Sequence, residues 1–257
     1  MDAPSVPQHQ HVIVLRHGDR LDDFLKSWTS KSARPWDPPL HVDGHVRAFK
    51  TGLVLQPNRL NFRIHRVISS PFLRCVETAA HVISGLCSVD EDSGGLSSTS
   101  LDPSKIKASI EYGLCEILHR KPNRLNFPED WDWGFNLSEL EQKLPAGTVD
   151  PEFKPVIPEL PKREEELSEG VDRFTRVTLA LADKYPSENL LLVTHGEGWG
   201  AGLRSVFPMF MKGMKLRDAD YCSRFEIRRE INDISRMARK FSVVSYNGLT
   251  PMMKNDS

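Results

Sequence analysis

Two short apolar segments, far apart in the chain, each run into a histidine. The first, His11–His17, reads H-V-I-V-L-R-H, and the second, Asn189–His195, reads N-L-L-L-V-T-H. Aliphatic and β-branched residues over so few positions, bounded by polar residues, predict buried strands. Continuous apolar strands are typical of parallel sheets that are covered on both faces. The two segments therefore predict an α/β fold with a histidine at the carboxyl end of two strands.

The rest of the chain alternates between strand and helix patterns. Further strands are predicted at His65–Ser69, Ile106–Glu111, Ser223–Ile227 and Phe241–Tyr246. One helix is predicted from a cap at Asp43 to about Leu55, with Val46, Phe49 and Leu53 on its inward face. A second begins with Ser70 as its N-cap and Pro71 in the first turn, with Phe72, Val76 and Ile83 on its apolar face. A third is predicted over Arg163–Tyr185, with Leu167 and Phe174 inward. This alternation predicts a three-layer α/β/α sandwich with a mostly parallel central sheet.

Basic side chains are expected to converge at the carboxyl edge of that sheet, where ligands of open α/β sheets bind. Arg16, His17 and His195 follow strands, and Arg74 lies in a first helical turn, off its apolar stripe. Guanidinium groups bind tetrahedral oxyanions through paired hydrogen bonds, and a neutral imidazole can attack phosphorus. The residues predict a phosphate site, and Arg74→Ala is expected to reduce turnover far more than stability.

Composition limits the alternatives. The chain has 257 residues, 34 basic and 35 acidic side chains and a net charge of -1, which argues against a nucleic-acid-binding protein. No apolar run is long enough to span a membrane, and the four cysteines form no C-x-x-C pair. We expect a disordered tail at 1–10, a single domain over 11–250 with a loop-rich insertion around 116–161, and a cytoplasmic location, with the nucleus also open.

Three motifs resemble the signatures of the histidine phosphatase superfamily, the phosphoglycerate mutase-like proteins. They are Leu15-Arg16-His17-Gly18, then Ser69-Ser70-Pro71-x-x-Arg74-Cys75-x-x-Thr78-Ala79, then Val193-Thr194-His195-Gly196. Arg20, directly after the first motif, is similar to a further arginine of the subgroup that contains the ubiquitin-associated/SH3-type tyrosine phosphatases and the ecdysteroid phosphatases. The glycolytic mutases have a different sequence at this point, which argues against a mutase.

The resemblance implies a role for each matching residue. His17 would be the nucleophile, Arg16, Arg20 and Arg74 would bind the phosphoryl group, and His195 would stabilise its charge in the transition state. No metal or cofactor is implied. The leaving oxygen also needs a proton from a nearby acid. Glu116, in Gly113-Leu114-Cys115-Glu116, matches the subgroup best, with Glu111 as the fallback and Asp19 as a more remote candidate.

These residues imply a metal-independent phosphomonoester phosphatase that forms a phosphohistidine. Two alternatives stay open: a phosphoglycerate mutase-like phosphotransferase and a catalytically weak module that only binds phospho-ligands. The expected partner is a phosphorylated small molecule or a phosphotyrosine protein, and a homodimer is also open. Specificity would lie in the loops at 19–39 and 116–161, whose sequence does not identify the substrate.

Overall fold

The computed structural model describes residues 8–89, 102–117, 132–162, 165–198, 200, 219–231 and 241–247. Six strands form one sheet in the order β3-β2-β4-β1-β5-β6. Their bounds are β1 Gln8–Arg16, β2 Arg66–Ser69, β3 Lys107–Ile110, β4 Leu190–Thr194, β5 Arg224–Ile231 and β6 Ser242–Asn247. All six sequence-predicted strands are present in the sheet.

The central strands β1 and β4 bring the two histidine segments side by side. They pair in parallel, with Val12 opposite Leu190 and Arg16 opposite Thr194. Strands β2 and β3 continue the parallel sheet on one side, whereas β5 is antiparallel to both β1 and β6. Because β1 and β4 end in register, His17 and His195 emerge next to each other at the same edge.

Helices cover both faces of the sheet, which confirms the predicted three-layer α/β/α architecture. The α-helices are α1 Leu21–Phe24, α2 Ser27–Lys31, α3 Val42–Val54, α4 Pro57–Leu60, α5 Leu73–Cys87, α6 Leu137–Glu141 and α7 Leu167–Lys184. One core packs α3 and α5 against Ile13, Leu15 and Val193. The second packs α7 against Val12, Val14 and Leu192 on the opposite face. Alternate residues of β1 thus point into different cores.

Several element boundaries differ from the sequence predictions. Strand β1 begins at Gln8, so the last residues assigned to a disordered tail lie in the sheet. Helix α5 begins at Leu73 with Phe72 as its N-cap, which corrects the predicted cap at Ser70. Helix α7 begins at Leu167, whose side chain is exposed although the apolar spacing placed it inward.

Helices α3 and α5 approach each other closely through two glycines. A Cβ atom on Gly52 would lie 2.2 Å from the carbonyl oxygen of Val82, and one on Gly85 would lie 2.2 Å from that of Phe49. The buried face of α3 therefore consists of small residues, Gly44, Ala48, Thr51 and Gly52. This explains why Val46, predicted to face the core, is exposed.

The loop-rich insertion predicted around 116–161 is described at 116–117 and 132–161. Trp133 stacks on Phe135, and both rings make edge contacts with Phe72 at the start of α5. Residues 118–131, which include part of this insertion, and residues 90–101 lie outside the described residues. Within the described residues, no helix is long and apolar enough to cross a membrane.

Candidate active site

His17 lies at the base of the site, directly after β1. Its side chain is 1% exposed, and its Nδ1 atom is 2.7 Å from the carbonyl oxygen of Gly18. A carbonyl oxygen only accepts hydrogen bonds, so Nδ1 carries the ring proton. The Nε2 atom therefore keeps its lone pair, as a nucleophilic imidazole requires.

His195 follows β4, and both of its ring nitrogens form hydrogen bonds. The Nη2 atom of Arg74 donates to His195 Nδ1 at 3.0 Å, and His195 Nε2 lies 2.9 Å from Ser70 Oγ. A guanidinium group only donates, so Nδ1 is the accepting nitrogen and Nε2–H donates to Ser70. The ring centroids of His17 and His195 are 5.4 Å apart.

Both imidazoles are neutral in this environment. Burial lowers the pKa of His17 well below its ordinary value, and the nearby charges of Arg74, Arg16 and Arg20 lower it further. The pKa of His195 is lowered for the same reasons, burial first and then Arg74. A buried cationic ring would have to bear both desolvation and repulsion by three arginines. The site therefore keeps its positive charge on the guanidinium groups and a free lone pair on His17.

Arg74 is a core residue and not a solvated helix side chain. It is 2% exposed, and its guanidinium lies 4.4 Å from the ring centroid of Phe72. Its Nη1 atom donates to the carbonyl oxygen of Trp36 at 3.3 Å and lies 3.9 Å from the carboxylate of Asp37. The position of Arg74 in the first turn of α5 thus directs Nη1 to the loop before α3 and Nη2 to His195.

Arg16 and Arg20 complete the cationic lining. The Arg16 guanidinium lies 4.4 Å from the ring centroid of Tyr221 and donates to the carbonyl oxygen of Ala219. Arg20 forms two hydrogen bonds to the carboxylate of Asp22, at 2.9 and 2.5 Å. Burial opposes the charge of Arg20, but hydrogen bonding to Asp22 raises its pKa overall. All three sequence-predicted arginines are thus placed around the two histidines.

Glu116 is the acid candidate that reaches this cluster. Its Oε2 atom lies 3.5 Å from His195 Nδ1 and 3.8 Å from Arg74 Nη2, and its side chain is 18% exposed. The carboxylate is therefore adjacent to the basic cluster and open to solvent at the same time. This combination suits a group that exchanges protons with both a bound molecule and water.

The two fallback acids are occupied by structural contacts. Glu111 is fully buried and accepts hydrogen bonds from the backbone N–H groups of Gly113, Val156 and Ile157. Burial raises the pKa of Glu111, against the effect of these hydrogen bonds. Asp19 accepts two hydrogen bonds from Arg47, at 2.7 and 3.2 Å.

Sequence reasoning missed three residues that organise the site. Ser70 orients His195, Asp37 faces Arg74, and Tyr221 packs beside Arg16 with its ring centroid 5.7 Å from that of His17. Ser70 stands in the second motif, but its spacing suggested a helix cap. No local pattern marks Asp37 or Tyr221, because each acts on a residue far from it in the chain.

A close backbone contact shapes the loop after His17. A Cβ atom on Gly18 would lie 2.8 Å from the carbonyl oxygen of Gly44, and one on Gly44 would lie 2.6 Å from that of Asp19. The Gly18 N–H also donates to Thr78 Oγ1 of α5 at 3.0 Å. The two glycines therefore let the loop pass directly over the start of α3.

Among the residues described, no group of three or more His, Cys, Asp or Glu side chains is arranged to hold a metal ion.

The chain is similar in sequence to a curated protein. The chain is 26% identical over 219 residues to ubiquitin-associated and SH3 domain-containing protein A of Homo sapiens, a match that covers 72% of this chain. The chain spans 29% of the length of that relative. No protein-family model matches the chain.

Solved structures show the same architecture. The ecdysone phosphate phosphatase of Bombix mori, in complex with tungstate, has a TM-score of 0.64 at 21% identity and covers 96% of both chains. A mycobacterial glucosyl-3-phosphoglycerate phosphatase in complex with VO3 has a TM-score of 0.53 at 15% identity, over 93% of this chain and 99% of that one. These similarities agree with the expectation drawn from the three motifs. The chain therefore has the fold of these two phosphatases, a three-layer α/β/α sandwich with a mostly parallel sheet.

Proposed function

We propose that the protein is a metal-independent phosphomonoester phosphatase that works through a phosphohistidine at His17. One observation carries this proposal: a buried, neutral His17 with its proton on Nδ1 lies within a cluster of three arginines. The arginines supply the positive charge that a phosphoryl group needs, while the nucleophilic nitrogen stays unprotonated.

The first half-reaction transfers the phosphoryl group to His17. The Nε2 lone pair attacks phosphorus in line with the leaving oxygen, the N–P bond forms and the P–O bond to the leaving group breaks. The ring becomes an imidazolium whose Nδ1–H still donates to Gly18 O. Arg16, Arg20 and Arg74 hold the non-bridging oxygens, and Glu116 donates its proton to the leaving oxygen.

The position of Glu116 fits a group that changes its protonation state during the cycle. In the free site its carboxylate lies 3.8 Å from Arg74. A bound phosphate dianion would pair with Arg74 in place of Glu116 and would repel the Glu116 carboxylate. Both effects favour the protonated form of Glu116. After the leaving group departs, the Glu116 carboxylate takes a proton from water. Water oxygen then attacks phosphorus, the N–P bond breaks, and inorganic phosphate and neutral His17 result.

The structural neighbours support the same reaction class. Two of them are named as phosphatases of phosphate monoesters, ecdysone phosphate and glucosyl-3-phosphoglycerate, and their structures contain tungstate and VO3. Both are oxyanions of metals, related in charge and shape to phosphate. We extend the activity to this chain because its own arginines and histidines form an oxyanion site.

Several properties of the whole protein belong to this proposal. The substrate is a phosphorylated small molecule or a phosphotyrosine protein, and the protein works in the cytoplasm or nucleus, as a monomer or a homodimer. The four cysteines Cys75, Cys87, Cys115 and Cys222 are buried and form no disulfide with one another, which agrees with a reducing compartment.

Hydrolysis of p-nitrophenyl phosphate between pH 4 and 8, in excess chelator, tests the reaction. Wild type should turn over repeatedly, His17→Ala should be inactive, and the distant variant His81→Ala should keep activity. Quenching with a 32P-labelled substrate should trap an acid-labile, base-stable phosphoenzyme in wild type only. Turnover that needs a phosphorylated acceptor would indicate a transferase. Tight orthovanadate binding without any turnover would indicate a binding module, and either result would reject the phosphatase.

A further inference from the structure

We propose that Asp22 makes this site selective for phosphomonoesters whose leaving group carries no negative charge. This inference rests on the proposed function, because it concerns which monoesters the site accepts. It starts from the two hydrogen bonds between Asp22 and Arg20, which bring a resident carboxylate into contact with one of the phosphate-binding guanidinium groups.

Asp22 lies beside Arg20 and is nearer to solvent than His17, and we call this outer side of the site its rim. Asp22 holds the Nε and Nη2 atoms of Arg20, so the phosphate has to bind through the other edge of the guanidinium. The Asp22 carboxylate is 12% exposed, whereas His17 is 1% exposed. In-line attack from the buried His17 directs the leaving group away from the base of the site and toward this rim.

A second carboxylate lies on the same short helix. Tyr221, whose ring lies near that of His17, donates its hydroxyl hydrogen to Asp23. Glu116 adds a third carboxylate on the side of His195. The described part of the site thus has a cationic base and an acidic rim.

Three further cations among the described residues are already paired with carboxylates. Arg47 binds Asp19 at 2.7 Å, Lys26 lies 3.8 Å from Asp23, and Arg34 lies 3.6 Å from Asp37. Arg16, Arg20 and Arg74 are taken by the phosphoryl group itself. A carboxylate or second phosphate on the leaving group would meet Asp22 without a compensating cation from the described residues. The inference therefore also argues against a phosphoglycerate substrate.

Two isosteric aryl phosphates test this charge selectivity. We would compare kcat/KM for 4-carbamoylphenyl phosphate and 4-carboxyphenyl phosphate, which differ by one negative charge at the same position. Comparing the ratio of the two values between variants cancels their intrinsic reactivity. The preference of wild type for the carbamoyl ester should exceed that of Asp22→Asn by about fivefold, the order expected for one charge at about 7 Å in a partly solvated site.

Two variants control for shape and for overall charge. Asp22→Glu keeps the negative charge and should keep most of the wild-type preference. Asp102→Asn changes the net charge equally but lies before β3, at the amino end of the strands, where asparagine also serves as an N-cap. It should leave the preference unchanged. In wild type, raising the ionic strength should reduce the preference, because salt screens exposed charges.

An unchanged preference in Asp22→Asn, with both esters slowed equally, would overturn the inference and leave Asp22 as a residue that only orients Arg20. A wild-type preference that salt does not alter would overturn it as well, and this readout does not depend on the folding of any variant. Hydrolysis of neither ester by wild type would instead reject the proposed function.

Discussion

The carboxylate of Asp37 lies 3.9 Å from the Nη1 atom of Arg74, and neither side chain is more than 2% exposed. Asp37 also accepts a hydrogen bond from the Leu73 N–H at 2.8 Å, at the start of α5. One buried carboxylate therefore fixes the first turn of the helix and balances the guanidinium that this turn carries. Burial raises the pKa of Asp37, although Arg74 acts in the opposite direction.

In Asp37→Asn the positive charge of Arg74 is no longer balanced by a buried carboxylate in the free protein. The guanidinium should therefore attract a bound oxyanion more strongly. The asparagine Oδ1 can still accept from Leu73, so we expect a loss of about 1–3 kcal/mol in the free energy of unfolding. Orthovanadate should increase the free energy of unfolding of Asp37→Asn by more than it increases that of wild type. Thermal melts with and without vanadate measure both effects. If vanadate stabilised the two proteins equally, Asp37 would not be the group that balances the charge of Arg74.

Arg74→Ala is not a pure test of catalysis, because burial changes the expectation drawn from the sequence. Removing a buried guanidinium leaves Asp37 uncompensated, so we now expect a stability loss of about 3 kcal/mol together with the loss of turnover. Arg74→Lys is the better variant, since it keeps the charge but not the planar fork. We expect kcat/KM to fall by about 100-fold. Full activity in the lysine variant would show that the reaction does not need a planar guanidinium that contacts the loop before α3 through Nη1 and His195 through Nη2.

Glu116→Gln should slow poor leaving groups more than good ones. A p-nitrophenolate departs with little protonation, whereas an alkoxide needs a proton, so kcat for an alkyl phosphate should fall at least about 100-fold and that for p-nitrophenyl phosphate much less. Glu111→Gln is the matched comparison. It should reduce the free energy of unfolding by about 1–3 kcal/mol without any dependence on the leaving group, because Glu111 accepts three backbone hydrogen bonds.

The stability of the protein should fall as the pH is lowered from 7 to about 5.5. The pKa values of His17 and His195 lie well below the ordinary 6.5 in the folded state, so the unfolded chain binds protons that the folded site does not. Each histidine then contributes a slope of up to about 1.4 kcal/mol per pH unit below 6.5, and stability rises again as the pH increases. Urea unfolding at a series of pH values measures this. His195→Gln should flatten the slope, and an unchanged slope would contradict the neutral state of His195.

Gly85→Ala tests the close packing that positions α5. Its Cβ atom would lie 2.2 Å from the carbonyl oxygen of Phe49, so the two helices must move apart. We expect a loss of about 3 kcal/mol in the free energy of unfolding and a lower kcat/KM, because Arg74 moves with α5. Ser84→Ala, at the neighbouring exposed position, should change stability by less than about 0.5 kcal/mol. Similar stability of the two variants would contradict this account of the helix contact.

Strands, layers and the basic cluster follow from local patterns in the sequence. Apolar runs such as Leu190–Val193 predict buried strands because burial on both faces removes any need for alternation. Since parallel strands end at one edge, His17 and His195 could be placed together before their contacts were known. The prediction of Arg74 at this edge was also right, but its place in the core was missed. The helical stripe marks apolar neighbours and does not show where a long cationic side chain is buried.

The tertiary structure decided the states and partners of these groups. The proton positions on His17 and His195 depend on Gly18 O, Arg74 and Ser70, and only the first of these is a sequence neighbour. The distinction between Glu116 and Glu111 likewise depends on which carboxylate meets the cluster and which meets backbone N–H groups. The sequence alone determined the chemical groups and the edge of the sheet at which they meet, because strand periodicity is a local property. Hydrogen-bond partners, burial and pKa shifts arise from contacts between distant segments, so only the folded chain decides them.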